Sequence, residues 1–354
     1  MKLSIGIVGL PNVGKSTLFR LLTKQEINVA NYPFATIDPN VGIVAVPDER
    51  LDKLARLAKA KKITPAVVEF YDIAGLVKGA HEGEGLGNQF LAHIREVKAI
   101  IQVIRVFPGS EIIHVEGGAD PLRDLEIVNT ELVLKDLDTV ERRIESVEGK
   151  TRTGNKEAIM ELEILEKLRR ILDERVLASN LGELAREPAI KQLTLLTDKP
   201  QIYLLNGKEE DVSLELVEEI KTLGGDYLIL DLATENNLDA LIRLAYEVLG
   251  LITFFTFGED ETRAWQIPQG VTVRQAAGTI HTDFEEKFIK ADVIGWEKLL
   301  EAHSTSSGQA GDPLAHSTSS GQSPWAIAKQ KGWMRLEGKD YIVQDGDVLE
   351  VKHG

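Results

Sequence analysis

The 354 residues contain no cysteine. Disulfides, thiolate metal sites and cysteine nucleophiles are therefore excluded, and the absence agrees with a reducing, cytoplasmic setting. A positive surplus is also missing, because 41 basic against 56 acidic side chains leave a formal net charge of −15. A general cationic coat, which binds nucleic acid by releasing counterions, is ruled out. DNA is not an expected partner, and any RNA contact must come from a local basic patch. No apolar run approaches the roughly 20 residues that span a bilayer, so no membrane role is expected. The apolar start, Met1 to Leu10, imitates a signal peptide but runs into a glycine-rich loop without a small-residue cleavage site. What remains, 43% apolar and 27% charged residues, is ordinary globular composition with length for two or three domains.

Short apolar, β-branched runs at 3–8, 67–71, 99–106, 201–205 and 227–232 read as buried strands. Helical patterns at 16–24, 48–60, 87–98 and 237–249 separate them, which predicts an α/β fold with a mostly parallel sheet and helices on both faces. From about 122 to 195 the grammar changes to Glu, Leu, Lys and Arg with almost no aromatic residue. There Val133, Leu137, Val140, Ile144 and Val147 step by four and three, as do Leu162, Leu165, Leu168 and Leu172 beyond the turn GKTRTG. Two helices in an antiparallel hairpin follow from that spacing, either a short coiled coil or an ordinary helical insertion. Beyond 251 the pattern predicts a small mixed β domain with few helices. The expected division is 1–120 and 199–250 for one α/β domain, 121–198 for the helical insertion and 251–354 for the last domain. Within 302–322, AHSTSSGQ occurs twice and reads as low-complexity linker without a function.

The segment GLPNVGKST, Gly9 to Thr17, follows a strand, opens a helix and fits G-x-x-x-x-G-K-[ST]. In such a P-loop the backbone amides around Asn12, Val13, Gly14, Lys15, Ser16 and Thr17 surround phosphates, and the helix N-terminus faces the same anion. Lys15 reaches the β- and γ-phosphates as the principal catalytic cation, and Ser16 offers its hydroxyl to Mg²⁺. Thr36, central in NYPFATIDPN, is a candidate to complete the Mg²⁺ shell. Asp72 ends a strand before D-x-x-G and is placed to hold Mg²⁺ through water, with the Gly75 amide sensing the γ-phosphate. Asn12 is a candidate for holding a monovalent cation such as K⁺.

Guanine readers use N-K-x-D, whereas this chain has Asn206-Gly207-Lys208-Glu209 after a strand. The usual lysine is Gly207 and the usual Asp is Glu209, so the carboxylate contact to guanine loses its geometry. Asn206 on the base edge and the Gly207 backbone at N6 favour ATP over GTP. Together GLPNVGKST, NYPFATIDPNVG, DIAGLVKGAHEGEGLGNQFL, HVEG-x-x-DP-x-x-DLEI (114–127), N-x-x-E (206–209) and GKDYIVQDGDVLEV (338–351) resemble the YchF family of Obg-like ATPases. The resemblance implies a P-loop NTPase domain, a coiled-coil insertion and a C-terminal TGS domain of β-grasp fold. It also implies ATP hydrolysis, Mg²⁺ at Ser16 and Thr36, adenine contacts at Asn206 to Glu209, and association with the ribosome, its large subunit by preference.

Ras-like switches place a water-orienting Gln after D-x-x-G; here that position is Leu76, which cannot hydrogen-bond. His114, ahead of His81, is the favoured residue to position water. Basic clusters at 53–62, 150–153 and 167–170 are candidate contacts for ribosomal RNA or protein. Two other readings stay open: a GTPase of the Obg type, and a ribosome-binding module whose hydrolysis is incidental.

Overall fold

A computed structural model describes residues 3–24, 40–73, 94–107, 120–152, 154–304 and 323–354. In chain order the first half holds β1 (Ser4–Val8), α1 (Lys15–Thr23), β2 (Val41–Ala45), α2 (Glu49–Ala58), β3 (Lys62–Thr64), β4 (Val67–Asp72), β5 (Ala99–Arg105), α3 (Pro121–Thr151) and α4 (Lys156–Asp173). The second half holds α5 (Pro188–Lys191), β6 (Gln201–Asn206), α6 (Leu214–Thr222), β7 (Asp226–Leu230), α7 (Asp239–Val248), β8 (Leu251–Thr256), β9 (Glu261–Pro268), α8 (Val273–Ile280), α9 (Thr282–Glu286), β10 (Phe288–Gly295), α10 (Trp296–Ser304), α11 (Pro324–Gln330), β11 (Arg335–Glu337) and β12 (Asp347–His353).

The chain forms two compact units. The first comprises 1–27, 34–44 and 69–241, the second 28–33, 45–68 and 242–354. This division differs from the one expected from sequence. The 45–68 segment joins the second unit because β3 pairs in parallel with β9, aligning Ile63 with Thr262. The helical insertion is continuous with the first unit, and the boundary falls inside α7 rather than after it.

In the first unit the strand order is β2-β4-β1-β5-β6-β7. The β1–β4, β1–β5, β5–β6 and β6–β7 pairings are all parallel. Every residue of β1, β5 and β6 is buried, which is why those segments read as unbroken apolar runs rather than alternating ones. The insertion is a hairpin: α3 starts at Pro121 behind an Asp120 cap that accepts from Arg123 N, and α4 starts behind Asn155, which accepts from Ala158 N. Each cap contributes about 1 kcal/mol. Val133, Val140, Ile144 and Val147 of α3 share one buried cluster with Leu165, Leu168 and Leu172 of α4, while Leu137 and Leu162 pack at its edge. Arg143 crosses to Glu161 at 2.5 Å.

The second unit has strand order β11-β10-β12-β8-β9-β3, mostly antiparallel with a parallel contact between β12 and β8. It carries more helix than the sequence suggested. The run 273–280 forms α8, begun by a reciprocal capping box of Thr272 and Gln275. Phe254, Ile267, Val273, Ala276, Ala291, Val293 and Leu349 form the core beneath it. Residues 305–322, which hold most of the repeated octapeptide, lie outside the described residues.

Candidate nucleotide site

The parallel sheet of the first unit brings the C-terminal ends of β1, β4 and β6 to one edge, where ligands bind in open α/β sheets. Register places Asp72, the last residue of β4, level with Ile7 of β1. The loop after β1 returns through Asn12, which takes a left-handed φ of 63°, into α1. No side chain caps α1; its N-cap is Gly14 at φ 113°. The amides of the first turn are therefore left to an outside acceptor, as a phosphate loop needs. Val13 is buried, Thr17 half-buried and Ser16 exposed on that first turn.

Lys15 is buried, with 8% of its surface exposed, and its ammonium donates to the Leu10 carbonyl at 2.7 Å. Burial pushes it down to about 8, against the opposing pull of Asp72. Asp72 is shifted upward, again by burial, with the Lys15 charge acting against the shift. The two groups form one electrostatic unit. A hard oxygen donor set of Ser16 hydroxyl and Asp72 carboxylate fits Mg²⁺.

At the base side, β6 ends in Asn206, which is 5% exposed. Its Nδ2 donates to the Val13 carbonyl at 2.8 Å, and its Oδ1 accepts from Leu232 N at 3.1 Å. Sequence reasoning assigned this side chain to the base edge; the structure uses it to tie the phosphate loop to the segment after β7. A Cβ on Gly14 would lie 2.5 Å from Asn206 Nδ2, so glycine there is the sequence signal of that tie. Gly207 donates its N–H to Leu230 O at 3.1 Å. A Cβ at Gly207 would sit 2.6 Å from Val106 Cγ2 and 3.3 Å from Phe107 N. A lysine at that position would have to displace Val106. Lys208 and Glu209 are exposed, and Lys208 N donates to Asp211 Oδ2 at 3.2 Å in a short turn.

Beside this turn Arg105 is fully buried at the end of β5, with its guanidinium 4.5 Å from the Phe107 ring centre. Thr36, Gly75, Leu76, His81, His93 and His114 lie outside the described residues. The structure thus brings Asn206 against Val13 and Gly14, and Lys15 within electrostatic reach of Asp72.

Residues 4–136 match the family described as 50S ribosome-binding GTPase. Residues 251–354 match the C-terminal family of YchF GTPases, described as a protein of unknown function (DUF933). The chain is 43% identical over 384 aligned positions to the Ribosome-binding ATPase YchF of Bacillus subtilis, covering 99% of both proteins. It is 45% identical over 377 positions to the same-named protein of Escherichia coli O157:H7, covering 99% of this chain and 98% of the relative. The solved structure of the Schizosaccharomyces pombe YchF GTPase superposes with a TM-score of 0.75 at 36% identity, covering 99% and 97% of the two chains. Identity at this level along the whole length, together with a P-loop on a parallel sheet, places the chain in the YchF family.

Proposed function

We propose that this chain is a Mg²⁺-dependent ATPase that prefers ATP to GTP and acts as a nucleotide switch on the large ribosomal subunit. The observation that carries the base preference is the close approach at Gly207, where Val106 leaves no room for the lysine of a guanine loop. Glu209 adds to it, because an exposed, longer carboxylate replaces the Asp that reads guanine. The curated relatives are named ribosome-binding ATPases, and the family matching residues 4–136 is described as binding the 50S ribosome.

In this reading Asn206 holds Val13 and Leu232 on one frame, so that phosphates and base are gripped at a fixed separation. Amides of Gly14 to Thr17 take the β-phosphate, and Lys15 leaves the Leu10 carbonyl to meet the β- and γ-oxygens. Asp72, Ser16 and Thr36 would hold the metal, which when bound would supply charge neutralisation on the phosphate oxygens. Gly75 contacts the γ-phosphate, His114 positions water in place of the missing glutamine, and Asn12 takes part in K⁺ binding. Water adds to the γ-phosphorus as its bond to the bridging oxygen breaks, giving ADP and phosphate.

The S. pombe structure is described as a GTPase, which keeps GTP as the second reading. Steady-state hydrolysis of ATP and GTP, each with Mg²⁺ or EDTA and in K⁺ or Na⁺ buffer, separates them. A kcat/KM for ATP at least tenfold above that for GTP, lost in EDTA, is expected; equal or reversed values overturn the base assignment. His114→Ala is expected to keep ATP affinity and lose turnover. Lys150→Glu with Arg152→Glu, at the exposed hairpin turn, is expected to weaken ribosome cosedimentation.

A further inference from the structure

A cavity of about 480 Å³ opens on the second unit, where the ends of β8 and β12 meet the helices α8, α9 and α11. That volume lies within the range of ligand sites. Strands β12 and β8 pair in parallel at Val348 with Phe255. The cavity starts just past that pair, with Thr256 and Phe257 on one side and Leu349 to Val351 on the other. Ile280, Phe284 and Trp325 complete its wall.

Its aromatic walls do not belong to the core. Phe254 and Phe255, earlier on the same strand, are fully buried, whereas Phe257, Phe284 and Trp325 are only half-buried. Leaving three large rings in contact with water forfeits burial that this unit obtains elsewhere. The rings are nevertheless held in place. Trp325 is the second residue of α11, behind Pro324 and a Ser323 cap that accepts from Ala326 N at 3.3 Å. Its ring meets that of Phe257 at 6.3 Å between centres and 75° between planes. Phe284 stacks on His353 at 4.3 Å. Fixed rings around one cavity offer negative π faces, which favour a cation on an apolar stem over a neutral apolar group.

The surrounding charge agrees. Glu350 lines the cavity, and its side chain is 50% exposed. Its carboxylate pairs with Lys352 at 2.5 Å, and Lys352 also reaches Asp292 at 3.7 Å. Within three residues of the wall along the chain stand the solvent-facing Glu259, Asp260, Asp283, Glu285 and Glu286, against Lys287 and Lys352. Of these, Asp260 is engaged by Lys61 at 2.8 Å. Over 251–354 there are ten basic and fifteen acidic side chains, so the unit as a whole attracts cations. No lysine or arginine stands between Lys298 and Lys329, so the chain next to Trp325 has none of its own to offer.

We propose that this cavity docks a lysine or arginine side chain of a partner protein. Half-exposed rings and an exposed carboxylate form an open mouth, within reach of a side chain still attached to another protein's surface. The proposal is independent of the nucleotide reading, since every residue it uses lies in the second unit.

All four tryptophans, Trp265, Trp296, Trp325 and Trp333, belong to that unit, which makes their indole N–H signals the natural readout in the isotope-labelled full chain. Trp325→Phe removes one signal and so assigns it. Acetylated and amidated tripeptides Gly-Lys-Gly, Gly-Arg-Gly and Gly-norleucine-Gly are titrated, with butylammonium as the free amine. The Trp325 signal is expected to shift saturably with the lysine and arginine peptides, with norleucine binding at least about fivefold more weakly. Phe257→Leu and the surface change Glu350→Gln, each checked for folding by thermal melting, should weaken the lysine peptide about two- to fivefold. Retained affinity in both variants overturns the site, as does no Trp325 shift with either cationic peptide. Equal binding of norleucine leaves only an apolar pocket, and equal binding of butylammonium leaves a site for free amines. A Trp325 shift on raising the protein concentration alone gives the cavity to a second copy of the chain. Each of these three results also overturns the proposal.

Discussion

The two six-stranded sheets use polar residues in opposite ways. In the first unit the strand ends present groups with capacity left over: among the described residues no side chain caps α1, Ser16 is exposed, and the hydrogen bond of Lys15 goes to a backbone carbonyl. In the second unit the polar groups are consumed internally. Arg50 binds Asp48 at 2.8 Å and Asp345 at 2.5 Å, and Asp345 also accepts from Thr253 N at 2.9 Å. Tyr341 donates to Asp347 at 2.8 Å and accepts from Arg335 at 2.9 Å. A buried charge with one weak partner points toward a ligand, whereas a charge ringed by partners of its own chain points toward folding.

The contrast is sharpest between buried Lys15 and half-buried Arg50. Lys15→Ala should weaken ATP binding at least a hundredfold, since contacts to charged groups are each worth about 1.5–3 kcal/mol. Arg50→Ala should leave ATP affinity within error and lower unfolding free energy by about 1–3 kcal/mol, read by denaturant titration. A loss of ATP binding in Arg50→Ala would break the distinction. Asp136→Ala strands two amides and a hydroxyl and should cost about 3 kcal/mol or more, with the loss seen in melting before it is seen in the calorimeter.

A smaller effect is expected from Gly14→Ala. Its Cβ would fall 2.5 Å from Asn206 Nδ2 at a φ of 113°, and strain of about 1–3 kcal/mol should weaken ATP and GTP alike. Selective loss of one nucleotide would show that Asn206 reads the base rather than ties the loops. The smallest effect is on pH. Burial lowers Lys15 to about 8, so the free site loses its positive charge as pH rises through that value, while bound phosphates favour the charged form. ATP affinity should be flat below pH 8 and decline above it. At pH 8 binding should take up about half a proton, measured in buffers of different ionisation enthalpy, because the group is then half-ionised in the free site.

Legibility followed the same division. The phosphate loop was readable because its spacing is set by backbone geometry around an anion, and the strands were readable because β1, β5 and β6 are buried on every residue. The hairpin core was visible as a period of three and four. The position of Asn206 is legible from the motif, but its ties to Val13 and Leu232 are not, because a motif carries position and not partners. The 45–68 segment gave no sign that it belongs with the C-terminal sheet, since β3 pairs with residues two hundred positions away. Helix α8 was hidden by its Val and Thr content, which its capping box overrides. Lys199 and Asp136 stand in no motif, and only the fold brings the two charges within electrostatic reach.

The most direct test of the central claim is a calorimetric titration of the full chain with ATP and with GTP, each with Mg²⁺. The account predicts that ATP binds at least tenfold more tightly, because no lysine fits at Gly207 and no aspartate stands at position 209. Tighter binding of GTP would contradict it, leaving the phosphate site in place and returning the chain to the GTPase reading.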